Sequence, residues 1–180
     1  MSMLIDAYRF GGGVAPAWVI SEQWTPNNNS AGWSGYTVRL VVAAAQFAEL
    51  GSQTRVTIDF GSNPGNIGAL YIGRSAGSGG TNYAFDATPE QVLFGGSPTL
   101  SLPTGGTAVS DPISLAIDGT DDIVIAAYFS GSTDLRVRSG EAGWYQVYKG
   151  GNDASTVAAT GYSGGSTEAV LVSIIEVLQP

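Results

Sequence analysis

A chain of 180 residues fits one domain, and a fold of that length buries roughly 70% of the surface its unfolded form exposes, so no covalent staple is needed. Cysteine and histidine are both absent, which excludes disulfides, thiolate and imidazole metal sites, cysteine nucleophiles and any mechanism resting on an imidazole base. The formal net charge is −8 and the seven Lys plus Arg are scattered singly, too few for the basic groove that nucleic acid or an anionic membrane surface demands.

Apolar residues reach 43% and charged residues only 12%, the balance of a folded chain and not of a solvated disordered one. No apolar stretch approaches the ~20 residues of a membrane helix. The opening MSMLIDAYRF has no basic region followed by an apolar core, so it does not read as a signal peptide. Asn28-Asn29-Ser30 matches a glycosylation sequon by letters alone.

Residues 1–16 precede the strand pattern and read as an N-terminal arm, in which Leu4, Ile5, Tyr8 and Phe10 stand before a Gly-Gly-Gly joint. Such an arm docks on its own domain or on a neighbouring subunit. Residues 17–180 read as a β-sandwich domain. Strands are expected over 17–24 and from Tyr36, with Tyr36, Val38, Leu40 and Val42 on one face and Thr37, Arg39 and Val41 on the other. The second of these runs on into 41–50, where three alanines and Glu49 suit a short turn of helix. Arg55 to Phe60 alternates cleanly, with Val56, Ile58 and Phe60 inward. Further strands are expected over 67–73, 91–95, 99–102, 107–109, 113–117, 123–129, 135–138, 143–148 and 169–178. Glycine, proline and aspartate punctuate them, as in Asn63-Pro64-Gly65, Asp118-Gly119 and Gly150-Gly151. The tract 150–165 reads as a long exposed loop. Many short strands with such turns point to an all-β, antiparallel β-sandwich, jelly-roll-like, in a single domain.

Three clusters of residues carry chemistry. Asp118, Asp121 and Asp122 in IDGTDD, with Asp111 nearby, offer closely spaced carboxylates at a glycine turn. They read as a solvated turn, with a calcium site as the alternative; no cofactor is expected, calcium being the one candidate. Asp86 with Glu90, or Asp134 with Glu141, would serve as a glycosidase pair only if ~5 to 9 Å apart across a cleft. The aromatics Trp33 and Tyr36, beside a polar Asn- and Ser-rich segment, and Trp144, Tyr145 and Tyr148, on a later strand, have three possible roles: core filling, an interface, or stacking on sugar rings.

From Tyr36 onward the succession Thr37-Val38-Arg39, Gly51 to Val56, Asp59-Phe60-Gly61, Ile67-Gly68-Ala69, Val92 to Gly96, Leu102 to Gly106, Val109 to Ile113, Asp122 to Tyr128 and Leu171 to Val177 resembles the non-catalytic N-terminal β-sandwich of a subset of SGNH (GDSL-like) hydrolases. The resemblance implies a sandwich fold and a non-catalytic role, and it implies no substrate. No Gly-Asp-Ser block follows the last strand, and the chain has no histidine for a Ser-His-Asp triad. The expectation is a non-enzymatic virion protein of a tailed phage or phage-like particle, a head decoration or a fibre. It would assemble with itself or with other virion proteins, and its contacts would include cell-surface glycans. A free-standing carbohydrate-binding module is the alternative.

Overall fold

In the computed structural model of the protein, the described residues are 15–61, 64–78, 82–131 and 133–180. Leu4, Ile5, Tyr8 and Phe10 of the expected arm lie outside them. The strands are β1 (Ala17–Gln23), β2 (Asn28–Ser30), β3 (Tyr36–Val42), β4 (Thr54–Asp59), β5 (Gly65–Arg74), β6 (Glu90–Gln91) and β7 (Leu100–Leu102). They continue as β8 (Thr107–Val109), β9 (Ile123–Phe129), β10 (Leu135–Ser139), β11 (Trp144–Gly150), β12 (Ser163–Ser166), β13 (Glu168–Val170) and β14 (Val172–Gln179). A single 3-10 turn, Ala44–Gln46, follows β3 as the alanines of that stretch suggest. No described helix is long and apolar enough to cross a membrane.

One sheet runs β1-β14-β4-β8, and the other centres on β3-β9-β5 with β6 and β7 both pairing the outer edge of β5. With β6 and β7 counted as one interrupted strand, this is the double Greek key of a jelly roll, in which first and last strands pair at one side. The segment β10–β13 is inserted before the last strand. Its β11 pairs β3 from Trp144↔Val42 to Gly150↔Tyr36 and so widens the second sheet, and β12 lies beyond it. The remaining strands, β10 and β13, form a small sheet with β2.

The main core lies between the two large sheets. Val38, Leu40 and Val42 of β3 meet Val56 and Ile58 of β4 and Ile175 and Val177 of β14, all at most 3% exposed. Packing is close: the void lined by Leu40, Ile125, Phe129 and Leu171 measures about 10 Å³, room for a single water at most.

Four expectations need correction. Residues 169–178 are two strands, broken at Leu171, which adopts a positive φ of 63°. There the chain leaves the small sheet, with Leu171 N–H donating to Arg136 O at 3.0 Å, and enters the large one, with Asp59 N–H donating to Leu171 O at 2.9 Å. Left-handed backbone costs a non-glycine residue roughly 1 kcal/mol, and the side chain stays because it is buried. Residues 113–117 form no ladder; Ile113 and Ile117 make isolated bridges to Thr54 and Gly51 while their side chains enter the core. The expected strand 91–95 shrinks to Glu90–Gln91.

The fourth correction concerns 150–165, which is not simply an exposed loop. β3 is buried on both faces from Thr37 to Val42, and residues 151–162 with 82–85 cover its second face. Arg39 stands fully buried beneath them. Its Nε donates to the Tyr162 hydroxyl at 2.9 Å and its Nη1 to Tyr83 O at 2.7 Å and Val157 O at 3.4 Å. Its Nη2 donates to Asp153 O at 3.2 Å and to Thr156 O. The guanidinium lies 5.0 Å from the Phe85 ring centroid and 4.9 Å from that of Tyr162. Burial pushes the Tyr162 phenol up to about 12, so it stays protonated and accepts from Arg39. Thr37 secures the same segment, donating to Gly151 O at 2.7 Å and accepting from Asp153 N–H at 2.9 Å.

Replacing Arg39 removes a shared donor from four loop carbonyls at once. Arg39→Met is expected to cost about 3 kcal/mol, read as a lower urea midpoint at unchanged slope. Hydrogen exchange should accelerate first in 151–162. Arg39→Lys should fail to restore stability, because an ammonium cannot span the same fork of acceptors. Uniform exchange rates across the variant would count against the loop's dependence on Arg39.

Candidate functional site: an aromatic hollow

The turn between β2 and β3 is set by Gly32 and Gly35, with φ of 90° and 78°, values that only glycine adopts without strain. It is anchored from both sides: Trp33 N–H donates to Thr133 O at 3.4 Å and Gly35 N–H to Phe129 O at 2.8 Å. The Trp33 indole N–H reaches Ser30 Oγ at 3.1 Å, which fixes the ring. Tyr36 opens β3 and is 38% exposed.

Tyr148 reaches the same place from β11. It pairs with Val38, two residues along from the Gly150↔Tyr36 pair, so Tyr36 and Tyr148 project from one face of the sheet. The three rings meet edge to face: Trp33 and Tyr148 at 5.6 Å between centroids, Tyr36 and Tyr148 at 5.9 Å, Trp33 and Tyr36 at 6.4 Å, with interplanar angles of 78°, 77° and 83°. Together with Ala31 and Gly32 they line a hollow of about 150 Å³. From β12, Gly164 presses on the back of this arrangement; a Cβ there would lie 2.4 Å from Tyr148 Cε1.

Of the five aromatics expected to bind or to form an interface, Trp33, Tyr36 and Tyr148 converge and two do not. Trp144 is fully buried, edge-on to Trp24 at 6.4 Å between centroids, with its indole N–H donating to Glu22 Oε1 at 3.0 Å. It fills the core. Tyr145 pairs with Val41 and turns to the opposite face of the sheet, because adjacent strand residues alternate sides. Ala31, Gly32 and Gly164 were not anticipated; the glycine-serine run SGGS around Gly164 carries no pattern that marks it as a ring contact.

The aspartate cluster is organised by an arginine. Arg74 Nη1 donates to Asp118 at 2.8 Å and to Asp121 at 2.5 Å, and Nη2 to Ala116 O at 3.1 Å. The Thr120 hydroxyl and amide, then Arg74, hold the Asp118 carboxyl down at about 2. Asp122 is buried and accepts from Ala44 N–H at 2.9 Å, at the start of the 3-10 turn. A guanidinium thus stands between Asp118 and Asp121, where a cation would otherwise be expected, while Asp122 is turned to the Ala44 amide. No group of three or more metal-ligating side chains occurs among the described residues. Of the other acids singled out, Asp86 and Glu90 are exposed, Asp134 is buried, and Glu141 pairs with Arg138.

Millimolar calcium is accordingly expected to leave the thermal midpoint unchanged; a clear rise would restore these carboxylates as ligands. Glu22 offers a second measurement. Burial, and secondarily Glu141, push its carboxyl up, against the Trp144 hydrogen bond. A carboxyl raised by folding favours the folded state below its unfolded pKa, and that contribution is lost as pH rises through the folded value. Glu22→Gln keeps an oxygen for Trp144 and removes the charge. The variant should lose less of its urea midpoint than the wild type between about pH 4 and about pH 7. An equal loss in both proteins would exclude Glu22 as a source.

No known protein family matches this chain, and no curated protein does either.

Proposed function

We propose that the protein is a non-enzymatic structural and recognition component of a tailed phage or phage-like particle, a head decoration or a fibre, and that it meets cell-surface glycans through the Trp33–Tyr36–Tyr148 hollow. The hollow carries this reading. Aromatic faces held rigidly at a surface, with one ring 38% exposed, suit the C–H faces of sugars, and rings of this kind dominate contact energetics when solvent is displaced.

Jelly rolls serve both as capsid domains and as lectins, which is an analogy of fold and not of site. Assembly with copies of itself or with other virion proteins fits the edge strands β1 and β8, which carry the exposed side chains of Ile20 and Val109. The free-standing carbohydrate-binding module rests on the same hollow and differs in where the protein resides.

A glycan array should return a discrete set of ligands for the wild-type protein. Tyr36→Ala should weaken their binding about tenfold while leaving the thermal midpoint near that of wild type. Mass spectrometry of purified particles should find the protein at defined stoichiometry. Absence from particles, with glycan binding intact, would select the free-standing module; an empty array would remove glycan recognition.

A further inference from the structure

We infer that the hollow takes one uncharged sugar ring at the end of a glycan chain and discriminates against acidic sugars; the inference rests on the glycan reading above.

Shape sets the size of the ligand. Rings lying in one plane make a platform along which successive sugars of a chain can stack. Here the three rings touch edge to face with their planes 77° to 83° from one another, so no two offer a shared floor. A hollow of about 150 Å³ beside such rings has room for a single ring, and the rings offer no continuous platform for the neighbours of an interior sugar. A terminal sugar enters with its chain pointing outward.

Charge sets the class. Ala31, Gly32, Trp33, Tyr36 and Tyr148 carry no formal charge at neutral pH. Every cation among the described residues is engaged elsewhere. Arg39 is buried under its loop, Arg55 holds Glu176 at 2.7 Å, and Arg74 holds Asp118 and Asp121. Arg136 faces Asp59 at 3.9 Å, Arg138 pairs with Glu141, and Lys149 holds Asp153 at 3.2 Å. Lys149 is the neighbour of Tyr148 in sequence, but strand alternation sends it to the opposite face, toward Tyr162 at 5.7 Å. A uronate or sialate carboxylate in the hollow would leave water without a cation to receive it, in a protein of net charge −8.

The test compares immobilised oligosaccharides ending in glucose, galactose, mannose or their N-acetyl forms with matched chains ending in glucuronic or sialic acid, and with the same neutral sugars placed only in the interior. Wild-type protein should bind neutral-ended chains at least about tenfold more tightly than acidic-ended ones. Capping the terminal sugar with a bulky non-sugar group should abolish binding. Ala31→Lys, at an exposed position on the rim, should narrow or reverse the preference for neutral ends without changing the thermal midpoint. Tighter wild-type binding to acidic ends, or equal binding to interior sugars, would overturn the inference while leaving glycan recognition intact. Failure of every chain to bind would overturn both.

Discussion

A guanidinium fully removed from solvent is costly unless its donors are met, and Arg39 meets them almost entirely with backbone oxygens of two loops. The consequence runs in both directions. The oxygens of Tyr83 and Thr156 would lose this donor without the arginine, and the arginine could not sit buried on the sheet without the loops that supply its acceptors. The guanidinium carbon also sits over the rings of Phe85 and Tyr162, 5.0 and 4.9 Å from their centroids, while its fork of donors is one an ammonium would not reproduce. The jelly roll supplies two layers. Arg39 supplies the third, a cover of irregular chain held over a sheet whose outer face would otherwise expose Val41, Val124 and Ala126.

The hollow depends on the same contact at one remove. The loop that closes over Arg39 ends at Tyr162, and the next residues form β12. There the ladder pairs Ser163 with Tyr148, and Gly164 packs on the Tyr148 ring. Arg39 and Tyr148 lie on adjacent strands with side chains on opposite faces, so the link passes through backbone and loop and not through side-chain contact. Position of the third ring is thereby tied to how firmly the cover is held.

Much of the fold was legible because burial follows parity. Val56, Ile58 and Phe60 alternate with polar residues, and β4 appears where they do. The double Greek key lets eight such strands hide one face each. What escaped reading was chain with no apolar rhythm: Asn-Asn-Ser of β2 and Ser-Gly-Gly-Ser of β12 are strands because neighbours offer them hydrogen bonds, which no local propensity records. The break at Leu171 was hidden for the opposite reason, since AVLVSIIEVL is apolar throughout and its change of sheet is a tertiary event. Within the candidate site, parity alone would have separated Tyr145 from Tyr148, which stand an odd number apart on one strand. Arg39 carried a readable signal too: a cation inside TVRLVV, flanked by apolar residues on both faces, implies that something must cover it.

The charged residues complete the physical picture of what this surface can recognise. The seven Lys plus Arg are outnumbered by fifteen acids, and the described cations hold loops and turns together. The Arg74 bridge shows the pattern at its clearest, since it fastens the Asp118–Asp122 turn to the end of β5. Cations so placed are poor anchors for a ligand, because recruiting one would release an internal partner. Surplus carboxylates meanwhile repel anions over roughly a Debye length, about 8 Å at physiological salt. On the proposed reading, an anionic partner meets no unengaged cation among the described residues. The contact proposed above is short-range and with uncharged groups, made by the exposed ring of Tyr36 beside Trp33 and Tyr148.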